Sequence, residues 1–426
     1  MAIFYLIQSI SLKKWNLQCY NTNEMDRLNE KETEKNVKKV KWSTFLKDVF
    51  LCSLGSYGGP EAHYGVFSSI LIEKRKYLTE EELTELIGLY AIVPGPSSTQ
   101  TITAIGYYVA GPVLALLSFL VWAMPAIVTM SLIGVFFSVV ASNSFWQPLI
   151  TYLPAVAVAF IIYAAFSISK KVLKKWPDWI LYLATLGLGL LLVPISMWAV
   201  PGLLLLGGFI YFLPRVKEKN ETKVTYKPKW LILATVIGLV IINELLRKWI
   251  SAPWSTLYTS FYRYGYSVIG GGQIVIPMMI QDLVQSQSLI SLNDFLSGYA
   301  IDQAVPGPLF SFAAFVASRS YSGSWFSFFA GMIGGLSIFL PGILLVFFMF
   351  PLWKSMRGIN QIKHFLNGIS VAAAGLIAMT AITQAIKLPV DWTVYAVVGV
   401  SVLLLLSKKI PAPLIVILAM ALGFLV

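Results

Sequence analysis

The sequence predicts an all-α integral membrane protein with about 13 transmembrane segments, arranged as two homologous halves. Of its 426 residues, 57% are hydrophobic and 12% are charged, whereas a soluble domain carries about 25% charged residues. Apolar runs of roughly membrane-spanning length follow one another from Ser43 to the C-terminus. Two unusual glycine and proline motifs also occur twice at equal spacing, which indicates a duplication.

The apolar segments give the predicted organisation of the chain. They lie near residues 44–70, 83–110, 113–140, 148–168, 179–197, 199–213, 230–246, 256–280, 295–317, 324–350, 364–386, 391–406 and 410–426. The sequence therefore divides into an N-terminal cytoplasmic tail (1–42), a first repeat (43–213), a basic cytoplasmic linker (214–229), a connecting helix (230–255) and a second repeat (256–426).

The distribution of positive charge predicts the orientation in the membrane. The net charge is +12, and the Lys and Arg residues lie in short loops between apolar runs. This placement favours a role in membrane orientation over binding of nucleic acid. With a cytoplasmic N-terminus, fifteen Lys and Arg residues fall in inner loops and seven in outer loops. We therefore expect a multi-pass protein of the plasma membrane, although the cluster Lys74–Lys76 falls outside and fits this orientation poorly.

The internal repeat rests on four tripeptides. The first half contains Gly58-Gly59-Pro60 and Pro94-Gly95-Pro96, and the second contains Gly270-Gly271-Gly272 and Pro306-Gly307-Pro308. In each half the two motifs start 36 residues apart, and an offset of 212 relates the halves. Further along, an insertion of about four residues places Pro125 on Pro341. The connecting helix has no counterpart in the first half, so a spanning connecting helix predicts inverted repeats. A connecting helix that does not span predicts parallel ones.

The Pro-Gly-Pro motifs predict broken helices and a ligand site. Proline removes amide donors and obstructs preceding carbonyls, and unpaired backbone groups are tolerated in a bilayer only beside protein or a water-filled cavity. A helix that restarts after such a break offers free amides and a positive dipole end, which suit an anion. The alternative is a proline kink that only shapes packing. The candidate substrate-binding residues are Gly58, Gly59, Pro60, Pro94, Gly95, Pro96, Ser97, Ser98, Thr99, Gln100, Gly270, Gly271, Gly272, Gln273, Pro306, Gly307 and Pro308, and the first repeat is the richer in hydrogen-bond donors.

Three ionisable residues lie within apolar segments beside these motifs. Glu61 and His63 follow the first glycine pair, and Asp302 stands four residues before Pro306. Ionisable residues in spanning segments are rare and commonly functional, so these three are candidates for proton relay or gating. The structural alternatives are that Glu61 caps a helix, that His63 is a packed histidine and that Asp302 is a hydrogen-bonded structural residue.

Together these motifs resemble those of the chromate ion transporter family. The family's marks are Gly-Gly-Pro-x-Ala-His and Pro-Gly-Pro elements in the first half and Gly-Gly-Gly and Pro-Gly-Pro elements in the second. The resemblance covers residues 43–426 and is that of a two-domain, long-form member. The sequence departs from the family at Tyr57 and Ile269, where Phe is frequent, and at Tyr77, where Trp is common. The matching stretches are Tyr57-Gly58-Gly59-Pro60-Glu61-Ala62-His63, Val93-Pro94-Gly95-Pro96-Ser97-Ser98-Thr99-Gln100, Ile269-Gly270-Gly271-Gly272-Gln273-Ile274-Val275-Ile276-Pro277 and Ala304-Val305-Pro306-Gly307-Pro308.

The resemblance implies a secondary active transporter that exports chromate and confers chromate resistance, driven by the proton gradient or by anion exchange. Uptake of sulfate or another tetrahedral oxyanion and a passive anion channel are the alternatives, and a homodimer is left open. An enzyme is not expected, because the sequence lacks a His-Glu-x-x-His motif, a Cys/His metal set and a nucleotide-binding loop. No cofactor or metal is predicted. The expected partners are a small inorganic oxyanion and the lipid bilayer.

Overall fold

The computed structural model describes residues 40–91, 93–196, 198–215, 230–250, 252–268, 275–321, 325–352 and 360–425. Within these ranges the side chains of Pro60, Glu61, Arg215, Pro253, Leu352 and residues 360–363 are not described. The predictions for the N-terminal tail, for most of the basic linker and for Gly270, Gly271, Gly272 and Gln273 therefore lie outside the described residues. The chain forms two compact units, Met1–Phe45 and Leu46–Val426. Of the first, only residues 40–45 are described, and the site lies in the second.

Every regular element among the described residues is helical, as the sequence predicts for an all-α protein. The first half comprises α1 (Trp42–Gly55), α2 (Pro60–Phe67, continued by a π-helical Ser68–Lys74), α3 (Glu80–Tyr90), α4 (Ser97–Ala110), α5 (Pro112–Ser142), α6 (Leu153–Val172), α7 (Trp176–Leu192) and α8 (Ala199–Phe212). The connecting helix is α9 (Trp230–Trp249). The second half comprises α10 (Pro253–Ser267), α11 (Val275–Met279, continued by a π-helical Ile280–Ser286), α12 (Leu292–Asp302), a 3₁₀ turn (Leu309–Ser311), α13 (Phe312–Ser320), α14 (Ser327–Met349), α15 (Asn360–Ile386), α16 (Trp392–Ser407) and α17 (Ala412–Leu422).

The predicted helix breaks occur at the motifs. The segment 44–70 is divided where α1 ends at Gly55 and α2 begins at Pro60, and the segment 83–110 is divided between Tyr90 and Ser97. The segment 295–317 is divided at the second Pro-Gly-Pro motif, between α12 and the 3₁₀ turn. Proline at the start of α2 costs no helical hydrogen bond, because the first amides of a helix have no partner within it. The prediction that both Pro-Gly-Pro motifs interrupt helices is confirmed.

Five described helices are long and apolar enough to cross a membrane. They cover residues 112–142, 147–172, 230–249, 327–349 and 364–386. The connecting helix α9 is among them, which meets the length condition for inverted repeats. Five further apolar helices are shorter, namely α7, α8, α13 with its preceding 3₁₀ turn, α16 and α17. The count of 13 spans and the inverted arrangement therefore stay predictions.

The core of the molecule is formed by both repeats together. The longest helix of the first repeat, α5, packs against α14 of the second, and α4 and α13 pack beside them. Pro125 lies inside α5 and Pro341 inside α14, the correspondence that the repeat alignment predicts. This packing brings the helices that follow the two Pro-Gly-Pro motifs to the same region of the core.

A second layer forms where α15 packs against α6, α7 and α8. Gly207 of α8 and Gly368 of α15 let the two backbones approach closely, since a Cβ atom added to Gly368 would lie 2.1 Å from the Gly207 carbonyl oxygen. Small residues at such crossings are typical of membrane helices, whose association depends on close packing.

Replacing Gly368 with valine is expected to force α8 and α15 apart. Overpacking of this kind costs about 1–3 kcal/mol, so the melting temperature of the detergent-purified protein should fall by several degrees. The matched control is Gly238→Val in α9, where an added Cβ meets no atom within 4 Å. Equal melting temperatures for the two variants would contradict this account of the helix crossing.

Candidate functional site

Each Pro-Gly-Pro motif is held by the other repeat. The amide of Gly95 donates a 2.8 Å hydrogen bond to the carbonyl of Val268, and the amide of Gly307 donates a 2.8 Å hydrogen bond to the carbonyl of Ser56. The offset of 212 residues maps Gly95 onto Gly307 and Ser56 onto Val268, so the same bond occurs twice. We call this pair the crossed glycine bonds. They join the two repeats at their glycine- and proline-rich motifs.

The central glycines of both motifs have conformations and neighbours that exclude a side chain. Gly95 has φ of 125° and Gly307 has φ of 129°, a region that other residues rarely adopt. A Cβ added to Gly95 would lie 2.8 Å from the Cα of Gly342, and one added to Gly307 would lie 2.6 Å from the Cβ of Ala126. Ala126 and Gly342 directly follow Pro125 and Pro341, so these contacts also obey the repeat.

The first glycine pair forms a similar turn between α1 and α2. Gly58 has φ of 78° and Gly59 has φ of 106°, and Gly59 is the N-cap of α2. The carbonyl of Ser56, just before this turn, accepts one of the two crossed glycine bonds. Glu61 lies in the first turn of α2. Its side chain is outside the described part of the structure, so its predicted role is not addressed.

The residues after the two breaks line one small cavity. Its walls are Pro96, Ser97, Ser98 and Thr99 from the first repeat and Pro308, Leu309 and Phe310 from the second. Helix α4 begins at this cavity, and its N-cap Pro96 makes no side-chain capping bond. The first amides of a helix have no partner within the helix, so these donors are available to a ligand. Residues that follow both breaks therefore line the same cavity.

The cavity is small. The space open to the centre of a water molecule is about 10 Å³, which is about the room that one buried water requires. A tetrahedral oxyanion is larger than water, so these residues leave no room for one in this structure.

The first repeat supplies the polar wall of the cavity. Ser98 and Thr99 are buried, and Thr99 Oγ1 accepts a 3.1 Å hydrogen bond from Trp122 Nε1. Tyr64 donates its hydroxyl to Ser97 Oγ over 3.1 Å. The corresponding wall of the second repeat is apolar at Leu309 and Phe310. The asymmetry in hydrogen-bond donors predicted from the sequence is therefore present in the structure.

Gln100 has a different place from its neighbours. Its side-chain Nε2 donates to the carbonyl of Pro94 at 2.9 Å and to the carbonyl of Gly342 at 3.1 Å. The residues that line the cavity do not include Gln100. In this conformation Gln100 ties the first break to α14 of the other repeat and so positions the start of α4.

Two of the predicted ionisable residues contact serines that follow the two breaks. His63 is fully buried, its Nδ1 lies 3.0 Å from Ser98 Oγ, and its Nε2 has no hydrogen-bond partner among the described residues. Asp302 ends α12, accepts a 2.7 Å hydrogen bond from Ser311 Oγ at Oδ1, and has no described partner at Oδ2. Ser98 lines the cavity, so His63 is one contact away from it, whereas Ser311 only adjoins the lining residue Phe310.

Sequence reasoning missed two residues that shape this region. Trp122 donates to Thr99 and packs edge-on against His63, with ring centroids 5.4 Å apart. A tryptophan within an apolar helix gives no sequence signal of such a role. Asp48 is a buried carboxylate within the first apolar segment, and the rarity of such residues in membrane segments was a signal that could have identified it.

The Ser98 hydroxyl is expected to contribute directly to ligand affinity. A hydrogen bond to a charged group contributes about 1.5–3 kcal/mol, so Ser98→Ala should raise the KM for the transported anion by about tenfold or more. Thr103→Ala is the matched control, because Thr103 is a buried hydroxyl of the same helix that bonds only to the Thr99 carbonyl in the described contacts. A KM of Ser98→Ala no higher than that of the control would exclude this hydroxyl from the site.

The fold and the site define a multi-pass helical membrane protein in which two repeats share one small cavity at broken helices, with hydroxyl groups on the wall from the first repeat. The family model for chromate transporters matches residues 43–212 and again residues 255–424. The chain therefore belongs to the chromate transporter family and is of its long, two-domain form.

Individual relatives agree with this assignment. An uncharacterized transporter of Methanocaldococcus jannaschii is 25% identical over 414 residues, covering 95% of this chain and 98% of that protein. A probable chromate transport protein of Synechococcus elongatus is 24% identical, covering 89% of this chain and 93% of that protein. A chromate transport protein of Cupriavidus metallidurans is 23% identical, covering 84% and 87%. No solved structure matches the chain.

Proposed function

We propose that the protein is a secondary active transporter that exports chromate across the plasma membrane and so confers chromate resistance. The observation that carries the proposal is the cavity between the two Pro-Gly-Pro breaks, which combines the start of α4 with the hydroxyls of Ser97, Ser98 and Thr99. Membership of the chromate transporter family supports chromate as the cargo. Transport out of the cell is proposed together with the cargo.

The chemistry of this cavity suits a tetrahedral dianion. Backbone amides at a helix start point toward an anion and the helix dipole favours negative charge there. Such donors recognise oxygen atoms on several sides of a small ion without a countercharge. On this proposal the glycine motifs at 58–60 and 270–273 complete the site, because glycine permits close approach of the backbone to a ligand.

Transport is proposed to be coupled to protons or to a counter-anion. His63 and Asp302 are the described candidates for proton relay or gating, since each is buried and retains one unpartnered polar atom. Glu61 is a third candidate on sequence grounds. Because a bound dianion favours the protonated form of a nearby carboxylate or imidazole, anion binding and proton binding would be linked through charge.

The small volume of the cavity favours a transporter over a passive channel. A channel needs a continuous polar path, whereas the room at this site is that of about one water molecule. Alternating opening of the two repeats around a fixed site is the common plan of secondary transporters with internal repeats.

Chromate accumulation in cells tests this proposal. Cells that express the chain should accumulate less chromate than cells with an empty vector, and a protonophore should abolish the difference if the proton gradient drives export. Loss of the difference in the presence of an opposing anion gradient, but not with the protonophore, would assign the coupling to anion exchange. Unchanged chromate accumulation under all conditions would contradict chromate export.

Sulfate uptake is the second candidate. Sulfate and chromate are both tetrahedral dianions, and backbone amides and hydroxyls bind both through oxygen atoms. The same cells should therefore be assayed for sulfate flux and for inhibition of chromate flux by excess sulfate. Altered sulfate flux with unchanged chromate would keep the site and move the cargo to sulfate.

A further inference from the structure

The first broken segment reverses direction at its glycine pair. Arg75 donates a 3.0 Å hydrogen bond from Nη2 to Oδ1 of Asp48 in α1, and Tyr77 donates its hydroxyl to Oδ2 over 2.7 Å. If α1 and α2 continued in one direction, residues 48 and 75 would be about 40 Å apart at 1.5 Å per residue. The contact therefore requires that α2 return toward the side from which α1 comes.

The second broken segment reverses at the first Pro-Gly-Pro motif. Tyr108, near the end of α4, donates its hydroxyl to Oε1 of Glu82, in the first turn of α3, over 2.8 Å. Continuous helices would place these residues about 39 Å apart. Helices α3 and α4 are therefore the two arms of a hairpin, and the Pro-Gly-Pro motif is its tip.

The second repeat has the same tie at the corresponding position. Arg319, at the end of α13, donates from Nε to Oδ2 of Asp294, in the first turn of α12, over 3.2 Å. The offset of 212 maps Glu82 onto Asp294. The two residue pairs differ in chemistry but join the same two places in each repeat, so α12 and α13 form an equivalent hairpin.

The remaining broken segment, α10 and α11, is tied from the end of α10 back toward its start. Tyr264, in the last turn of α10, donates a 2.6 Å hydrogen bond from its hydroxyl to Oδ2 of Asp282. Asp282 lies in the π-helical continuation of α11, and its Oδ1 is 3.9 Å from Arg247 Nη2. Arg247 is in the last turn of α9, immediately before α10. The continuation of α11 therefore runs back toward the place where α10 begins.

We propose that all four broken segments are re-entrant hairpins, which dip into the membrane and return to the side they entered. Their arms are too short to cross it, since each arm, counted with its π-helical or 3₁₀ continuation, has 11 to 15 residues and measures about 16–22 Å against a hydrocarbon core of about 30 Å. The first repeat inserts its two hairpins from one face. Because α9 then crosses, the second repeat inserts its two from the opposite face.

The crossed glycine bonds are the places where opposing hairpins meet. The Gly95 amide at the tip of one first-repeat hairpin bonds to Val268 at the end of α10, and the Gly307 amide at the tip of a second-repeat hairpin bonds to Ser56 at the end of α1. The two tips at the Pro-Gly-Pro motifs line the cavity between the breaks. The arrangement gives the proposed anion site one wall from each face of the membrane.

The distribution of positive charge agrees with this topology. Hairpins in place of crossings move Lys74, Arg75 and Lys76 from the outer face to the cytoplasmic face, where basic residues are favoured. This removes the misfit noted in the sequence. In each repeat, two hairpins replace two membrane crossings. Two crossings also return the chain to the side from which it started, so all other basic loops stay on the same side.

Cysteine labelling from one side of the membrane tests the proposal without reference to the cargo. In a chain with Cys19→Ser and Cys52→Ala, single cysteines are placed at exposed positions by Lys74→Cys and Gln285→Cys. Reference variants are Lys174→Cys, inside in both topologies, and Ser144→Cys, outside in both. Intact and permeabilised cells are treated with a membrane-impermeant maleimide, and labelling after permeabilisation establishes that each cysteine is reactive. Glu73→Cys and Ser286→Cys replace any site that is not.

The labelling of each test cysteine is compared with that of the two reference variants. Lys74→Cys should be protected in intact cells like Lys174→Cys, and Gln285→Cys should be labelled like Ser144→Cys. Straight crossings predict the reverse for both test sites. Any outcome other than the expected pair overturns the proposal, because it leaves at least one repeat without hairpins. A chain that shows the expected labelling but no chromate transport would keep the topology and reject the proposed function.

Discussion

Gly95→Val and Gly307→Val are each expected to abolish transport while the protein still inserts into the membrane. Valine is strained at the φ values of 125° and 129° found there, at a cost of about 1–3 kcal/mol. Its Cβ would also lie within 2.8 Å of Gly342 Cα in one case and 2.6 Å of Ala126 Cβ in the other. The tips must then move apart, and with them the amides that form the crossed glycine bonds. We expect initial transport rates to fall more than about tenfold, measured in membrane vesicles at equal protein content.

Two control variants separate the causes. Gly111→Ala tests backbone strain alone, because Gly111 has φ of 84° but an added Cβ there meets no atom within 4 Å. Gly88→Val tests bulk alone, in a helical glycine of α3 with equally open surroundings. Both controls should keep most of the activity. Normal flux in Gly95→Val or Gly307→Val would count decisively against a site at the breaks.

Asp302→Asn is expected to remove the response of transport to the pH gradient. Asparagine has nearly the same shape and can accept the hydrogen bond from Ser311, but it cannot take up or release a proton. If the carboxylate relays protons, driven flux should fall by about tenfold or more, and the remaining flux should not change with pH. The measurement is the initial rate across imposed pH gradients in vesicles.

Ser311→Ala is the control for this variant, since it removes the hydrogen bond to Oδ1 and leaves the ionisable group. It should lower the rate but keep its dependence on pH. An unchanged pH dependence in Asp302→Asn would remove this residue from the coupling mechanism and leave it as a structural hydrogen-bond acceptor.

Local features of the chain were predictable from the sequence. Apolar runs give helices because a bilayer leaves the backbone no other partners, and Pro-Gly-Pro ends a helix wherever it occurs. The equal spacing of the motifs also predicted that Gly95 and Gly307 occupy equivalent places. The concentration of hydroxyls after Pro96 predicted the polar wall in which Ser98 lies.

Contacts between distant residues were not predictable in this way. The direction of α2 is visible only from the Asp48–Arg75 contact, and the length of an apolar run is the same whether the chain crosses or returns. The pairing of Gly95 with Val268 joins residues from different repeats, which no local pattern encodes. Gln100 was predicted beside Thr99 as part of the ligand wall, and its side-chain bond to the Gly342 carbonyl of the other repeat is a contact that the sequence did not indicate.

The central claim is that the two breaks form one shared oxyanion site. It is tested most directly by equilibrium binding of chromate to the detergent-purified protein, comparing the natural chain with Gly95→Val and Gly307→Val, each verified as folded by size-exclusion chromatography. The account predicts one chromate per chain and loss of that binding in either variant, because each repeat supplies one wall. Two chromate ions per chain, or full binding in one of the variants, would contradict a shared site.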